Sequence, residues 1–313
     1  SLHQVTAADL EALAQAANRF EERNGRELAP LPLLAANGHY VPGIEASGGA
    51  FMPPVQGLYY RAYLVHYDIR QVADTRGDDM PGNNTGSVTA FANRLLYVTD
   101  RTFLGANYGV EAIVPVQRTS LRFRGLGVDS SESGVGDVYL GPVVLGWHGA
   151  QWDTVFAAGF WLDTAEHDPR DPATIGRGHP ATMLTLGGAW HFDPERRWSV
   201  SALSRYEIKG EQDDTGITPG DSWLVEWALS HRLDSGLEVG LAGYDAWQLE
   251  ADTGAGNNNK AERHAAGLEL GYRWPDTGLQ LKGAVYHEYS VKAGSGGVQP
   301  SGNLFRLALT TAF

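Results

Sequence analysis

The sequence predicts an all-β fold: a transmembrane up-and-down antiparallel β-barrel of 12 strands with an N-terminal helix and an irregular plug-like segment. Three observations predict it. The last eleven residues, Asn303 to Phe313, alternate to the end, with Phe305, Leu307, Leu309, Thr311 and Phe313 on one face and Leu304, Arg306, Ala308, Thr310 and Ala312 on the other. A period of two over about ten residues is what a tilted strand needs to cross a bilayer with lipid on one side and a lumen on the other. The links between candidate strands alternate strictly between short and long. Finally, 39 Gly, 9 Trp and 13 Tyr beside 3 Met favour short strands, tight turns and amphipathic aromatics over helices.

Composition excludes several other classes. There is no cysteine, hence no disulfide staple and no thiolate metal site. No run of 18 apolar residues exists for a membrane-spanning helix, a test that barrels evade because their apolar positions are interleaved with polar ones. The net charge of −13 argues against a nucleic-acid partner, which needs a basic patch. Much of that acid falls in expected loops, at Asp74 to Asp79 and Glu211 to Asp214. Ser1 is followed by neither a basic nor an apolar leader region, so a secretory signal is expected to have been removed already.

Residues 1–56 are expected to form a unit of their own, inside or across the barrel of residues 57–313. Thr6 to Glu22 reads as a helix capped by Thr6 and stopped by Gly25, with Leu10, Leu13, Ala14, Ala17 and Phe20 as its apolar stripe. From Ala29 to Gln56, Pro30, Pro32, Pro42, Pro53 and Pro54 forbid a regular helix and discourage strand pairing. The stretch is too apolar for a solvated tail and too long for a plain connection. A plug folded into the lumen is expected, with His39, Tyr40, Pro42 and Phe51 among its residues; a loose periplasmic arm is the alternative.

From Gly57 the chain divides into strands near 58–71, 87–99, 103–117, 135–147, 151–163, 182–193, 197–210, 222–233, 236–250, 262–274, 278–292 and 303–313. The links after the even strands are tiny, as in Asp100-Arg101-Thr102, His148-Gly149-Ala150 and Asp234-Ser235. Those after the odd strands, 72–86, 118–134, 164–181, 211–221, 251–261 and 293–302, are long and polar. Sorting by parity is the mark of a barrel with tight periplasmic turns and extended external loops. A soluble sandwich has no reason to show it.

Several strands resolve their faces. Trp198, Val200, Ala202, Tyr206 and Ile208 oppose Ser199, Ser201, Arg205, Glu207 and Lys209; Leu279, Leu281, Val285, Tyr289 and Val291 oppose Gln280, Lys282, Tyr286, Glu288 and Lys292. Trp198, Trp223 and Trp274 stand near strand ends, at girdle positions. Arg61, Tyr63, Tyr67 and Arg94 fit either face. A charge facing lipid at mid-membrane costs roughly 2–4 kcal/mol, so strand charges should turn inward. The expected pore-lining set is Glu111, Asp137, Arg205, Glu207, Lys209, Glu226, Glu238, Arg263, Glu269, Arg273, Lys282, Glu288, Lys292 and Arg306. Such a surface selects solutes in an open pore, or fills a closed one with ion pairs.

No catalytic residues, cofactor or metal site are expected. HExxH, GxSxG and a Gly-rich phosphate loop are absent, and neither His264 nor His287 has an evident same-face Ser on an adjoining strand. Asp74, Asp78 and Asp79 with Asn83 and Asn84 lack the spacing of a calcium loop. An enzyme acting on lipid and a sealed structural or adhesive barrel are the alternatives to a conduit. Pro115 and Pro142 would permit a sideways exit by removing ladder donors.

Gly38-His39-Tyr40-Val41-Pro42-Gly43, Pro53-Pro54-Val55-Gln56-Gly57-Leu58-Tyr59 and Gly134-Val135-Gly136-Asp137-Val138-Tyr139-Leu140-Gly141-Pro142 resemble the bacterial outer-membrane channel family named for the meta-pathway of phenol degradation. The resemblance runs from about Gly38 to Phe313 and leaves out the first helix. It implies a monomeric barrel in the bacterial outer membrane, with lipid and small-molecule solutes as partners. Diffusion-driven uptake of small molecules, aromatic or hydrophobic growth substrates among them, is the implied activity.

Overall fold

The computed structural model describes residues 38–313, so the helix expected over Thr6 to Glu22 lies outside the described residues. Thirteen strands form one antiparallel sheet: β1 (Gly57–Asp74), β2 (Asn84–Phe103), β3 (Ala106–Phe123), β4 (Val128–Val135), β5 (Val138–His148), β6 (Trp152–Leu162), β7 (Ala181–His191), β8 (Trp198–Lys209), β9 (Ser222–Arg232), β10 (Leu237–Gln248), β11 (Glu262–Arg273), β12 (Gln280–Lys292) and β13 (Val298–Ala312). Twelve of them close a ring, because β13 pairs with both β12 and β1 and β2 carries the ladder on to β3 and β5. Closure leaves no edge with unpaired amides facing lipid. The seam puts Leu64 opposite Leu307 and Tyr60 opposite Thr311, so the terminal segment is the closing strand.

The extra strand corrects one expectation. Residues 118–134, read as a polar loop, instead continue β3 to Phe123, turn at Arg124–Leu126 and return as β4, which pairs with β3 alone. Polar composition concealed a period of two: Thr119, Leu121 and Phe123 are buried, while Arg118 and Arg122 are exposed. The first short turn also moves. Asp100 to Thr102 belong to β2 beyond a register shift, and the chain reverses at Leu104 and Gly105, whose φ of 50° and 77° are the left-handed values of a tight hairpin turn.

The wall has an apolar outside and a mixed inside. Phe305 and Leu307 are 43% and 49% exposed, whereas their neighbours Leu304 and Arg306 are 2% exposed, which assigns the first pair to lipid. Exposed Trp152, Trp190, Trp198, Trp223 and Trp274 complete the outer surface, and Trp198 and Trp223 are stacked on His231 and Trp247. In β1, previously unassignable, Tyr63, Val65, Tyr67 and Ile69 point inward and Leu64 and His66 outward.

Two irregularities interrupt the alternation. Opposite His264 and Ala265 of β11 stand Ser290 and Glu288 of β12, which leaves Tyr289 as an extra residue. A bulge of one residue moves everything beyond it to the other face. Val291 is therefore buried and Lys292 is turned outward, where its Nζ lies 3.3 Å from Glu262. This corrects both expected orientations. In β5, Gly141 and Pro142 fall in a second shift, and the β3–β5 ladder runs from Asn107 only to Ile113, beyond which the Pro115 carbonyl accepts the Gly136 N–H at 2.8 Å. Pro115 stands opposite Ala92 in an unbroken β2–β3 ladder and is unpaired only on its β5 side, whereas Pro142 falls in a break of the ladder.

Candidate functional site

Residues 38–56 run along the inside of the barrel, with a single 3-10 turn at Ala46–Gly48. Prolines keep this stretch from pairing as a strand, so its amides need other acceptors. Two carboxylates on neighbouring strands supply them. Glu207 of β8 accepts the N–H groups of His39 and Tyr40, both at 2.9 Å. Glu226 of β9 accepts the N–H groups of Glu45 and Ala46 at 3.0 and 2.7 Å and the Tyr40 hydroxyl at 2.6 Å. Bonds to an ionised acceptor contribute about 1.5–3 kcal/mol each. The Arg205 guanidinium covers the Tyr40 ring at 3.9 Å. At Gly43 the backbone φ is +86° and a Cβ would meet the Tyr244 ring at 2.9 Å, so only glycine fits where the segment passes the wall.

Further along, the segment contributes its own charge. The Glu45 carboxylate accepts from Arg61 and Tyr63 and lies 3.2 Å from Arg94, which also holds Glu111 at 2.6 Å. Ser47 bonds to Glu269, itself paired with Arg306, and accepts from Lys282 at 2.6 Å. Lys282 also reaches Glu238 at 2.8 Å. The segment leaves past Met52, which is packed against Gly146 and Gly109, and Phe51, whose ring is edge-on to His148.

A second network belongs to the wall alone. Arg263 is 1% exposed and pairs with Glu288; it also donates to the Tyr67 hydroxyl at 2.9 Å and the Pro300 carbonyl at 3.2 Å. Glu288 accepts from the Tyr67 and Tyr244 hydroxyls at 2.6 and 2.9 Å and from the Gly302 N–H at 3.0 Å.

At the long-loop end, Asp137 organises loop 163–180 by accepting the N–H groups of Thr164, Ala165 and Arg177 at 3.1, 3.0 and 3.0 Å. His39 lies 3.4 Å from Asp137, stacks on Trp161 and meets the His179 ring edge-on. Burial disfavours a charge on His39, yet Asp137 and then Glu207 outweigh it and raise its pKa. His179 has no such partner; burial, with the neighbouring His39 charge, holds it down to about 3. Lys209, buried nearby, donates to the Gly220 carbonyl at 3.0 Å.

The short-turn end has its own cluster. His191 contacts Ser199 at 2.6 Å through Nδ1 and Asp153 at 3.0 Å through Nε2, a convergence of Ser, His and Asp that no sequence motif signals. Asp153 is also held by His148 at 2.8 Å and Arg196 at 2.9 Å. Arg196 further donates to the Gly149 and Ala150 carbonyls. The cluster ties two neighbouring turns together. Beside it opens a mouth of about 210 Å³ lined by Phe51, Pro53, Pro54, Arg61, Arg94 and Arg273.

Of the expected inner residues, Glu111, Asp137, Arg205, Glu207, Lys209, Glu226, Glu238, Arg263, Glu269, Lys282, Glu288 and Arg306 lie in these inner networks. Arg273 sits at the mouth and Lys292 outside. Among the segment residues, His39 and Tyr40 are anchored by Glu207, Pro42 is buried, and Phe51 is half-exposed at the mouth. Sequence reasoning missed Glu45 and Arg177, and left Arg61, Tyr63 and Arg94 without a face. Glu45 carried a usable signal, as a lone carboxylate in an apolar Pro- and Gly-rich stretch.

An edgeless ring of twelve strands, apolar outside and charged within, defines a porin-like β-barrel of the bacterial outer membrane. The chain belongs to the family described as "Putative MetA-pathway of phenol degradation", which matches residues 70–301. In structure it is similar to an outer membrane channel from Pseudomonas putida F1, with a TM-score of 0.73 at 16% identity over 88% of this chain and 100% of that one. A Pseudomonas aeruginosa FadL homologue gives a TM-score of 0.46 at 11% identity, covering 90% and 99% of the two chains. The TodX monoaromatic hydrocarbon channel gives 0.45 at 10%, covering 86% and 92%. These last two are too distant to bear on this chain. No curated protein sequence matches it.

Proposed function

We propose that this chain is a monomeric outer-membrane channel for diffusion-driven uptake of small molecules, with residues 1–56 acting as a plug that narrows the pore. The observation that carries the reading is the anchoring of residues 39–46 to Glu207 and Glu226 inside the ring. A sealed structural barrel would close its lumen with wall-to-wall pairs, as Arg263 and Glu288 do. Here the wall instead presents carboxylates to a separate stretch of chain. The family description connects the protein with phenol degradation, which favours small aromatic growth substrates as solutes. They enter past acidic external loops and meet the charged inner wall, with lipid as the only partner of the outer face.

Planar-bilayer conductance of the intact chain and of a form lacking residues 1–50 tests this. The intact chain is expected to show small conductance and the shortened one several-fold more. A folded barrel that passes no ions in either form rejects the channel; equal conductance in both rejects the plug.

A further inference from the structure

The cavity between the inner segment and loop 163–180 has a lining that attachment of the segment does not explain. Its volume is about 80 Å³, and Val41, Ile44, Val65, Ala90, Ala92 and Ile113 make most of it apolar. That is about half of the roughly 150 Å³ that encloses a benzene ring, so the cavity, which is partly open, takes a carboxyl group with the near part of a small ring. Two guanidiniums, those of Arg177 and Arg205, line the same space.

Donors outnumber acceptors there. Arg205 is 6% exposed, its Nε has no acceptor, and its Nη1 reaches only the Met183 sulfur at 3.8 Å, a weak partner. Among the described residues no carboxylate lies within 4.0 Å of either guanidinium. The indole N–H of Trp161, 5% exposed on the same wall, is likewise without an acceptor. The surrounding carboxylates are already engaged: Asp137 with three amides, Glu207 with two, Glu45 with Arg61 and Arg94. Glu45 and Asp137 line the cavity too, so what Arg177 and Arg205 lack is an anionic oxygen not already engaged, and most of what surrounds them is hydrocarbon. An unpaired buried cation is costly, and a carboxylate matches the guanidinium fork with two oxygens at once.

We propose that this cavity binds a small monocarboxylic acid with an apolar body, of the size of benzoate. The carboxylate lies on Arg177 and Arg205, and the hydrocarbon part between Val65, Ala92 and Ile113. The site gives the channel a class of solute, and for that role it rests on the channel reading; binding itself does not.

The test is calorimetric titration of the full chain in detergent with benzoate and with benzyl alcohol, repeated on Arg177→Gln. Benzoate is expected to bind at least about tenfold more tightly than the alcohol, and Arg177→Gln to remove that preference while leaving alcohol binding unchanged. Equal affinity for the two compounds, or a preference that survives the substitution, overturns the proposal. Should Arg177→Gln fail to fold, benzoate protection of Arg177 from phenylglyoxal in the unaltered chain decides the matter, and absence of protection overturns it. A chain that binds benzoate but conducts nothing keeps the site and loses the channel. Conductance without a preference for the acid does the reverse.

Discussion

Two sets of buried carboxylates inside the same barrel are neutralised in different ways. Glu288 is surrounded by the wall itself, by Arg263, Tyr67, Tyr244 and the Gly302 amide. Glu207 and Glu226 receive hydrogen bonds from the backbone of residues 39–46. The first arrangement is complete whenever the barrel is closed. The second is complete only while the segment is in place. The Arg263–Glu288 cluster is thus the fixed half of this comparison, and Glu207 and Glu226 of β8 and β9 are its docking half, although the segment also touches β1, β11 and β12 through Arg61, Tyr63, Glu269 and Lys282.

The largest effect is expected on the fixed side. Glu288→Gln leaves Arg263 buried without its counter-charge, and breaking such a pair costs about 3–5 kcal/mol. Urea unfolding in lipid vesicles should show a midpoint well below that of the parent, with conductance of the folded fraction unchanged. A variant as stable as the parent would mean that this half is not held by its ion pair.

On the docking side the order should invert. Glu207→Gln combined with Glu226→Gln removes both ionised acceptors, and with them about 2 kcal/mol or more of attachment. Conductance should rise toward that of the form lacking residues 1–50, while the unfolding midpoint of the barrel moves much less than in Glu288→Gln. If instead the barrel unfolds early and conductance stays low, Glu207 and Glu226 are wall residues like Glu288, and the distinction between the halves fails.

What the sequence could reveal divides along a similar line. Alternation in Asn303 to Phe313 and the parity of the loops are local signals, and they located the closing strand and the twelve-membered ring. Inward orientation of Glu207, Glu226, Arg263 and Glu288 followed from the same period of two. Their partners did not, because Glu207 and His39 are 168 residues apart and the segment has no period to read. Arg61 and Arg94 stayed ambiguous because β1 also turns apolar Val65 and Ile69 inward and β2 does the same with Val88 and Ala92, so hydrophobicity does not mark the lipid side there. Arg177 lies in a loop, where no pattern aims a side chain. The hairpin of β3 and β4 was hidden by its polar composition.

Lys292 marks the sharpest limit and gives the smallest prediction. Period two counted from Lys282 puts it in the lumen, but the extra residue at Tyr289 reverses the count, and Lys292 pairs with Glu262 on the outer side at the long-loop end. Its side chain is 43% exposed and that of Glu262 36%, so solvent screens the pair and its contribution should stay within about 1 kcal/mol. Lys292→Gln should therefore leave single-channel conductance and ion selectivity unchanged and move the unfolding midpoint barely at all. By the same comparison Lys282, ten positions earlier in β12 and bonded to Ser47 of the segment, should alter conductance when changed to Gln. A selectivity shift from Lys292→Gln equal to that from Lys282→Gln would return Lys292 to the lumen and remove the bulge as the reason for its placement.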